Sequence, residues 1–301
     1  KVVVIGSGPG GLEAARLAAE AGHRVILYES MNRLGGSLVL ASTVHSDNER
    51  FLCWLLAEVR RLPIDIRLGT TATVERIRAE QPDEVIVATG AAVTVPSIAG
   101  ADQAHVLTGA MMRQIIAGKL LAGEAHRLKP WQRGLVEFAM PFVQRVMTPN
   151  LLRRLSRLWM PMGREVAIIG ADLVAIELAE FLAQRGRRVH VIDMGKKIIP
   201  EVGKKRRNEH MDRLDRLRVT VNTAVDIDRI EQAAVILNTS GGEKPILADT
   251  IIVAGTPQAN TLLAEALTAA GLRVQSIGDS TGLGLIVKAT STAAEAVANI
   301  K

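Results

Sequence analysis

The chain alternates two apolar patterns. The first is a short run that is apolar at almost every position: Val2-Val3-Val4-Ile5, Val25-Ile26-Leu27-Tyr28, Val85-Ile86-Val87-Ala88, Val166-Ala167-Ile168-Ile169, Val189-His190-Val191-Ile192 and Ile251-Ile252-Val253-Ala254. Runs this short and uniform predict strands buried on both faces. The second pattern has apolar residues three and four apart, which predicts helices over 12–22, 47–62, 74–81, 173–185, 204–217, 260–270 and 284–300. Shorter strands are expected at 64–68 and 219–221. A three-stranded meander with a turn at Gly241-Gly242 is expected to follow, and the Pro96 and Gly100 region reads as a crossover loop. Strand and helix in regular alternation predict an α/β fold with parallel sheets.

The turn after the first strand is Gly6-Ser7-Gly8-Pro9-Gly10-Gly11. Gly6 lets the chain turn sharply out of the strand. Gly8, without a side chain, lets backbone N–H groups approach a pyrophosphate, and Gly11 lets helix and strand pack closely. The helix N-terminus then presents its partial positive charge to the phosphates. Glu29 ends the second strand, where it can accept hydrogen bonds from ribose hydroxyls. Strand, turn, helix, strand and acid stand at the spacing of a unit that holds the ADP half of a dinucleotide. The bare alternative is a tight strand-to-helix turn.

A second copy runs from Val166 to Asp193, so the unit is an internal repeat. Its turn is Gly170-Ala171-Asp172-Leu173, with Asp172 at the second glycine position and Ala175 at the third. A carboxylate there either lies beside a pyrophosphate, which costs several kcal/mol at ~4 Å and intermediate dielectric, or points away and caps the helix. Both readings stay open. Asp193 stands where an acid would bond a ribose 2′-hydroxyl, favouring NADH. Lys196 and Lys197 follow, where they could meet the 2′-phosphate of NADPH. The repeat predicts two Rossmann-like three-layer dinucleotide-binding domains, the second inserted into the first. Their expected boundaries are 1–118 with 271–301, and 164–270, with an amphipathic basic insert at 119–163.

Composition narrows the partners. The 301 residues are 48% hydrophobic but only 3% aromatic, so Ala, Val, Leu and Ile supply the core. The net charge of +6 sits largely in two stretches. One is Lys204-Lys205-Arg206-Arg207, read as a solvated helix face, because nothing aromatic interleaves for base stacking; nucleic acid is not expected. The other is 131–162, where Leu151, Leu152, Leu155 and Leu158 recur at helical spacing with Arg153, Arg154 and Arg157 between them. It reads as a face docking on another domain or subunit, as an interfacial helix on anionic lipid anchored by Trp131 and Trp159, or as a lid over a hydrophobic pocket. No run reaches the ~18 apolar residues a spanning helix needs, and no signal peptide is visible, so a cytoplasmic location is expected. Cys53 is the single cysteine and is read as a small buried hydrophobe; a dithiol pair within the chain is impossible. No metal site is expected. The start at Lys1, one residue before a core strand, suggests a piece of a longer protein.

Several stretches in order carry a resemblance: VVVIGSGPGGLEAARLAAEAGHRVILYE, RLGGSL, VIVATGA, VPSIAGAD, VAIIGADLVAIELAEFLAQRGRRVHVID, ADTIIVAGTPQAN and SIGDSTGLGLIVKAT. The chain resembles glutathione-reductase-like flavoproteins with two dinucleotide-binding domains. More narrowly, it resembles the C-terminal portion of the 2,4-dienoyl-CoA reductase and trimethylamine dehydrogenase family, related to old yellow enzyme. The resemblance implies FAD on the first unit, held by Gly6, Gly8, Pro9, Gly10, Gly11 and Glu29. It places Gly35 and Gly36 near the flavin side, Ala88, Thr89 and Gly90 beside the phosphates, and Gly278 and Asp279 at the ribityl chain. The final helix would point its N-terminus, near Gly284, at the flavin. It implies NADH or NADPH on the second unit at Gly170, Asp172, Leu173, Asp193 and Gly255, although trimethylamine dehydrogenase keeps only an ADP there. It also implies a missing N-terminal barrel with FMN, a 4Fe-4S cluster and the small-molecule substrate. The activity expected is an oxidoreductase passing electrons from NAD(P)H through FAD. The alternative is a non-catalytic nucleotide-binding or assembly domain. No residue stands out as a catalytic proton donor.

Overall fold

The computed structural model describes residues 1–94, 96–103, 105–109, 148–158, 160 and 162–300. The chain forms two compact units: Lys1–Ser42, Ser46–Val93 and Pro257–Lys301 make the first, Thr43–His45 and Thr94–Thr256 the second. The second is thus inserted in the chain of the first.

The first unit is built on β1 (Val2–Ile5), β2 (Val25–Tyr28), β3 (Ile64–Arg67), β4 (Glu84–Val87) and β15 (Val274–Ser276). They form one parallel sheet in the order β15-β4-β1-β2-β3. Successive side chains of a strand leave on opposite faces, and here both faces are covered. Val2, Val4, Val25, Leu27 and Ile86 pack with Leu12, Ala15 and Ala18 of α1 (Pro9–Glu20), Leu55 and Val59 of α3 (Asp47–Arg61) and Ala293 and Ala296 of α9 (Ile286–Ala298). Val3, Ile5, Ile26, Tyr28, Val85 and Val87 pack with Ile77 of α4 (Val74–Ala79) and Leu267 of α8 (Leu262–Ala269). Leu12 is fully buried, so Leu12→Ala should cost about 2–5 kcal/mol.

The second unit repeats the plan. β6 (Val106–Thr108), β7 (Glu165–Ile169), β8 (Arg188–Ile192), β9 (Thr220–Asn222) and β13 (Thr250–Val253) form a parallel sheet in the order β6-β13-β7-β8-β9. One face packs on α6 (Leu173–Ala183) and α7 (Lys204–Arg216) through Ile176, Ala179, Leu182 and Leu214. The other packs on an antiparallel meander of β10 (Asp226–Glu231), β11 (Ala234–Thr239) and β12 (Gly242–Leu247) through Ile230, Val235, Leu237 and Ile246.

Five details depart from the sequence reading. The units divide at 93/94 and 256/257, not at 118 and 271. The cause is pairing at long range: β6 bonds to β13 of the second sheet, while α8 packs beside β15 and α4 of the first. The stretch behind Gly35-Gly36, for which the sequence pattern predicts no helix, is a helix, α2 (Ser37–Val44). The crossover region is partly paired, as Ala99 bridges Arg229 of β10, and just before it β5 (Ala91–Thr94) joins β14 (Thr256–Ala259). Cys53 is exposed; the inward positions of α3 are Leu52, Leu55 and Val59, which turn Cys53 outward. The basic stretch of α7 is not uniformly solvated either: Arg206 pairs with Glu177 at 3.5 Å, and Arg207 donates to the carbonyls of Ile199 and Val202.

Of the amphipathic insert, 119–147 and both tryptophans fall outside the described residues. α5 (Pro149–Leu158) is described. Arg185 at the end of α6 ties it down, donating to Ser156 Oγ at 2.8 Å and to the Arg153 carbonyl, with its guanidinium over the Phe181 ring. Burial, with Arg157 and Arg153 nearby, lowers the Arg185 pKa to about 10. Leu155 and Leu158 remain exposed. Among the described residues no helix is long and apolar enough to cross a membrane.

Candidate functional site

In the first unit the turn from β1 to α1 is held so tightly that two glycines are obligatory. A Cβ on Gly6 (φ +100°) would stand 2.4 Å from the Ala88 carbonyl oxygen, and one on Gly11 would stand 1.9 Å from the Gly6 oxygen. Helix and strand therefore meet backbone to backbone. In front of Gly8 the opposite holds: a Cβ there would meet nothing within 4 Å. The N-terminus of α1 carries no side-chain cap. An uncapped helix N-terminus facing open space is an anion site in the making.

Gly35, Gly36 and Ala88 lie against this turn. The Gly35 N–H donates to the Ser7 carbonyl at 3.0 Å, and Gly36 lies so close that a Cβ would stand 2.9 Å from Gly8 Cα. Ala88 follows β4 against Gly6, with the Thr89 nitrogen 3.3 Å from where a Gly6 Cβ would stand, and Gly90 comes next. The Thr89 hydroxyl is buried with no hydrogen-bond partner among the described residues. Gly10 approaches Ala289 of α9. Gly278 opens the 3-10 turn Gly278–Thr281 and donates to Thr292 Oγ1 at 2.9 Å. Asp279 accepts the Gly284 N–H at 3.0 Å, and burial raises its pKa above the ordinary carboxylate value. α9 begins at Ile286 with Leu285 at its N-cap, two residues beyond the expected start.

Glu29 is buried just past β2. Its carboxylate accepts four hydrogen bonds, from the Ser7 N–H and hydroxyl and from the Met31 N–H and Ser30 hydroxyl. The Ser30 contact is the longest, at 3.2 Å. Ser7 escaped the sequence reading, although a hydroxyl between two glycines and 22 residues before an acid was the available signal.

The second unit places its residues in corresponding positions. Gly170 (φ +119°) turns against Ala254, as Gly6 turns against Ala88, and Gly255 has the backbone twist of Gly90. Its anion end is different. Asp172 is the N-cap of α6, and its Oδ1 accepts the Ala175 N–H at 2.8 Å. The capping alternative therefore describes Asp172 in this structure. Burial, and then the nearby Glu201 and Asp193, raise its pKa. Glu201 accepts the N–H of Leu173. Asp193 turns its carboxylate to the Gly195 N–H at 2.5 Å, and Lys196 and Lys197 are exposed. Glu201 was not found from sequence: it is 28 residues from its partner, in the loop between β8 and α7, and no local pattern marks it.

Farther along α6 and α7, His210 is buried with Nδ1 2.7 Å from Glu180 Oε1, and its Nε2 has no hydrogen-bond partner among the described residues. His210 lines a cleft of about 510 Å³ with His45, Lys205, Arg206, Glu209 and Arg213. The sequence singled out neither member of this buried pair. Among the described residues no group of His, Cys, Asp and Glu could hold a metal ion.

The chain is 33% identical over 281 residues to the bilirubin reductase of Mediterraneibacter gnavus, covering 93% of this chain and 37% of that protein. It is 30% identical over 296 residues to the NADH oxidase of Thermoanaerobacter brockii, covering 97% of this chain and 40% of that one. The structure of a 2-naphthoyl-CoA reductase matches the whole chain with a TM-score of 0.79 and 28% identity, over 40% of its own length. The chain thus spans about two-fifths of each of these relatives. The model of the pyridine nucleotide-disulphide oxidoreductase family matches residues 1–280, and the chain belongs to that family of FAD-dependent oxidoreductases.

Proposed function

We propose that the chain is the nucleotide-handling part of a larger reductase, with FAD on the first unit and NADH or NADPH on the second. FAD held there would supply the chemistry of accepting a hydride and releasing electrons singly or in pairs. The observation that supports this most is the uncapped N-terminus of α1 over the open space at Gly8. There the pyrophosphate finds backbone donors and a favourable dipole. A ribose hydroxyl would replace the Ser30 hydroxyl on Glu29, leaving the other three bonds to orient the carboxylate. The unpaired Thr89 hydroxyl suits a phosphate oxygen, and Asp279 suits a ribityl hydroxyl.

Onward transfer would go to a further part of the same protein, as the resemblance to dienoyl-CoA reductases implies. The matched relatives, which reduce bilirubin and 2-naphthoyl-CoA by name, suggest an unsaturated acceptor. A second reading has one specific observation in its favour. The carboxylates of Asp172 and Glu201 already hold the α6 N-terminus, which suits a unit that keeps FAD or ADP for assembly and takes no nicotinamide. An absorbance spectrum of the chain reconstituted with FAD separates the two. Flavin bands that bleach anaerobically with NADH or NADPH support electron entry. Bands that never bleach support the assembly reading, and a chain that takes up no FAD sinks the electron-transfer reading.

A further inference from the structure

The Leu173 N–H, the first of α6, is a donor that a pyrophosphate at this helix end would need. It is already bonded to the carboxylate of Glu201. The first unit has no counterpart: α1 starts at Pro9, which has no N–H, and nothing caps Gly8.

The backbone that carries Glu201 is fixed on both sides. Ile199 and Val202 are buried. The Ile199 N–H donates to the Ala171 carbonyl at 2.7 Å, and Arg207 donates to the carbonyls of Ile199 and Val202 at 3.1 and 3.0 Å. Glu201 itself is exposed between them, so its side chain can swing into water while its mount stays in place. Asp172 differs, because its carboxylate is drawn into the helix end as the N-cap. One of the two anions is therefore part of the helix and the other is removable.

We infer that Glu201 is a carboxylate latch on the second nucleotide site, holding the Leu173 N–H until a pyrophosphate-bearing nucleotide displaces it. This rests on the reading that the second unit receives NADH or NADPH. A carboxylate and a phosphate oxygen repel and compete for one donor, so the latch lowers nucleotide affinity. It also keeps the donor satisfied when the nucleotide is away.

The test uses the FAD-loaded chain as wild type, Glu201→Gln and Glu201→Ala. NADH and NADPH are titrated calorimetrically, and hydrogen exchange is followed at the Leu173 amide. Glu201→Ala should tighten nucleotide binding about tenfold, the worth of one charge-assisted bond discounted for exposure. Glu201→Gln, which keeps an acceptor oxygen, should fall between. Without nucleotide, the Leu173 amide should exchange faster in Glu201→Ala than in wild type. Binding that is unchanged or weaker in Glu201→Ala overturns the latch. If neither nucleotide binds wild type or Glu201→Ala, the nicotinamide reading of the second unit fails. The latch is then judged with inorganic pyrophosphate: binding to Glu201→Ala above wild type supports it, and equal behaviour refutes it.

Discussion

The two units share the order of four sheet strands, β4-β1-β2-β3 and β13-β7-β8-β9, a glycine turn and an acid after the second strand, yet their helix ends are chemically opposite. In the first, Gly11 brings α1 against the Gly6 carbonyl closer than any Cβ allows, and Gly8 leaves the helix end bare. In the second, Ala175 fits with its methyl buried, and Asp172 and Glu201 fill the helix end with carboxylate oxygens. The frame is thus indifferent to the sign of its anion end. A few side chains decide whether the end waits for a phosphate or supplies its own anion.

Exchanging the third small residue should expose the largest difference. Gly11→Ala forces a methyl into a backbone oxygen and should cost about 3 kcal/mol or more. The reverse change in the second unit, Ala175→Gly, should cost about 1 kcal/mol. Thermal denaturation of both variants measures this. Equal costs would show that α1 and α6 approach their strands alike.

Acid should separate the units by sign. In the first, Glu80 pairs with Arg67 and Lys1 and accepts from the Tyr28 hydroxyl. The Arg67 bond, followed by that of Lys1, holds its pKa down at about 2. A lowered folded pKa means the contribution is whole above the ordinary carboxylate value. It fades as the pH falls from there towards 2. Asp172 has a raised pKa, so its burial penalty is present at neutral pH and relieved as acid protonates it. Glu80→Gln should therefore flatten the acid loss of stability. Asp172→Asn should remove an opposing gain while keeping a capping oxygen, at a net cost within about 1 kcal/mol at pH 7. Urea unfolding from pH 7 to pH 3 reads both. A steeper acid loss in Glu80→Gln would overturn the sign.

The parts legible in the sequence were those written locally. β1 and β2 are uniformly apolar, and β7 and β8 nearly so beyond Glu165, Arg188 and His190, because helices or a second sheet cover both faces. The Gly6 to Gly11 turn and the Asp172 departure were visible because each position has a steric or electrostatic reason. Cys53 was misplaced because Phe51-Leu52-Cys53-Trp54-Leu55-Leu56 is apolar throughout, and such a run does not fix the helical phase. α2, with β-branched or hydroxyl residues at five of its eight positions, lacks a helix signature, since its conformation follows from burial of Leu38 and Val39. β6, three residues long, belongs to the second sheet only through a partner more than a hundred positions away. Glu201 was hidden for the same reason: its meaning lies in a hydrogen bond that folding creates.

The most direct test of the open-versus-filled contrast moves a carboxylate to the open end. Gly8→Asp meets no atom within 4 Å at its Cβ, so the fold should survive, checked by circular dichroism. At ~4 Å from a phosphate the added charge is worth about 4 kcal/mol at an effective dielectric near 20. FAD affinity, measured by titration of the apoprotein, should then drop by at least about a hundredfold. Asp172→Gly, measured in parallel, should leave it unchanged. A folded Gly8→Asp protein that binds FAD like wild type would contradict the account.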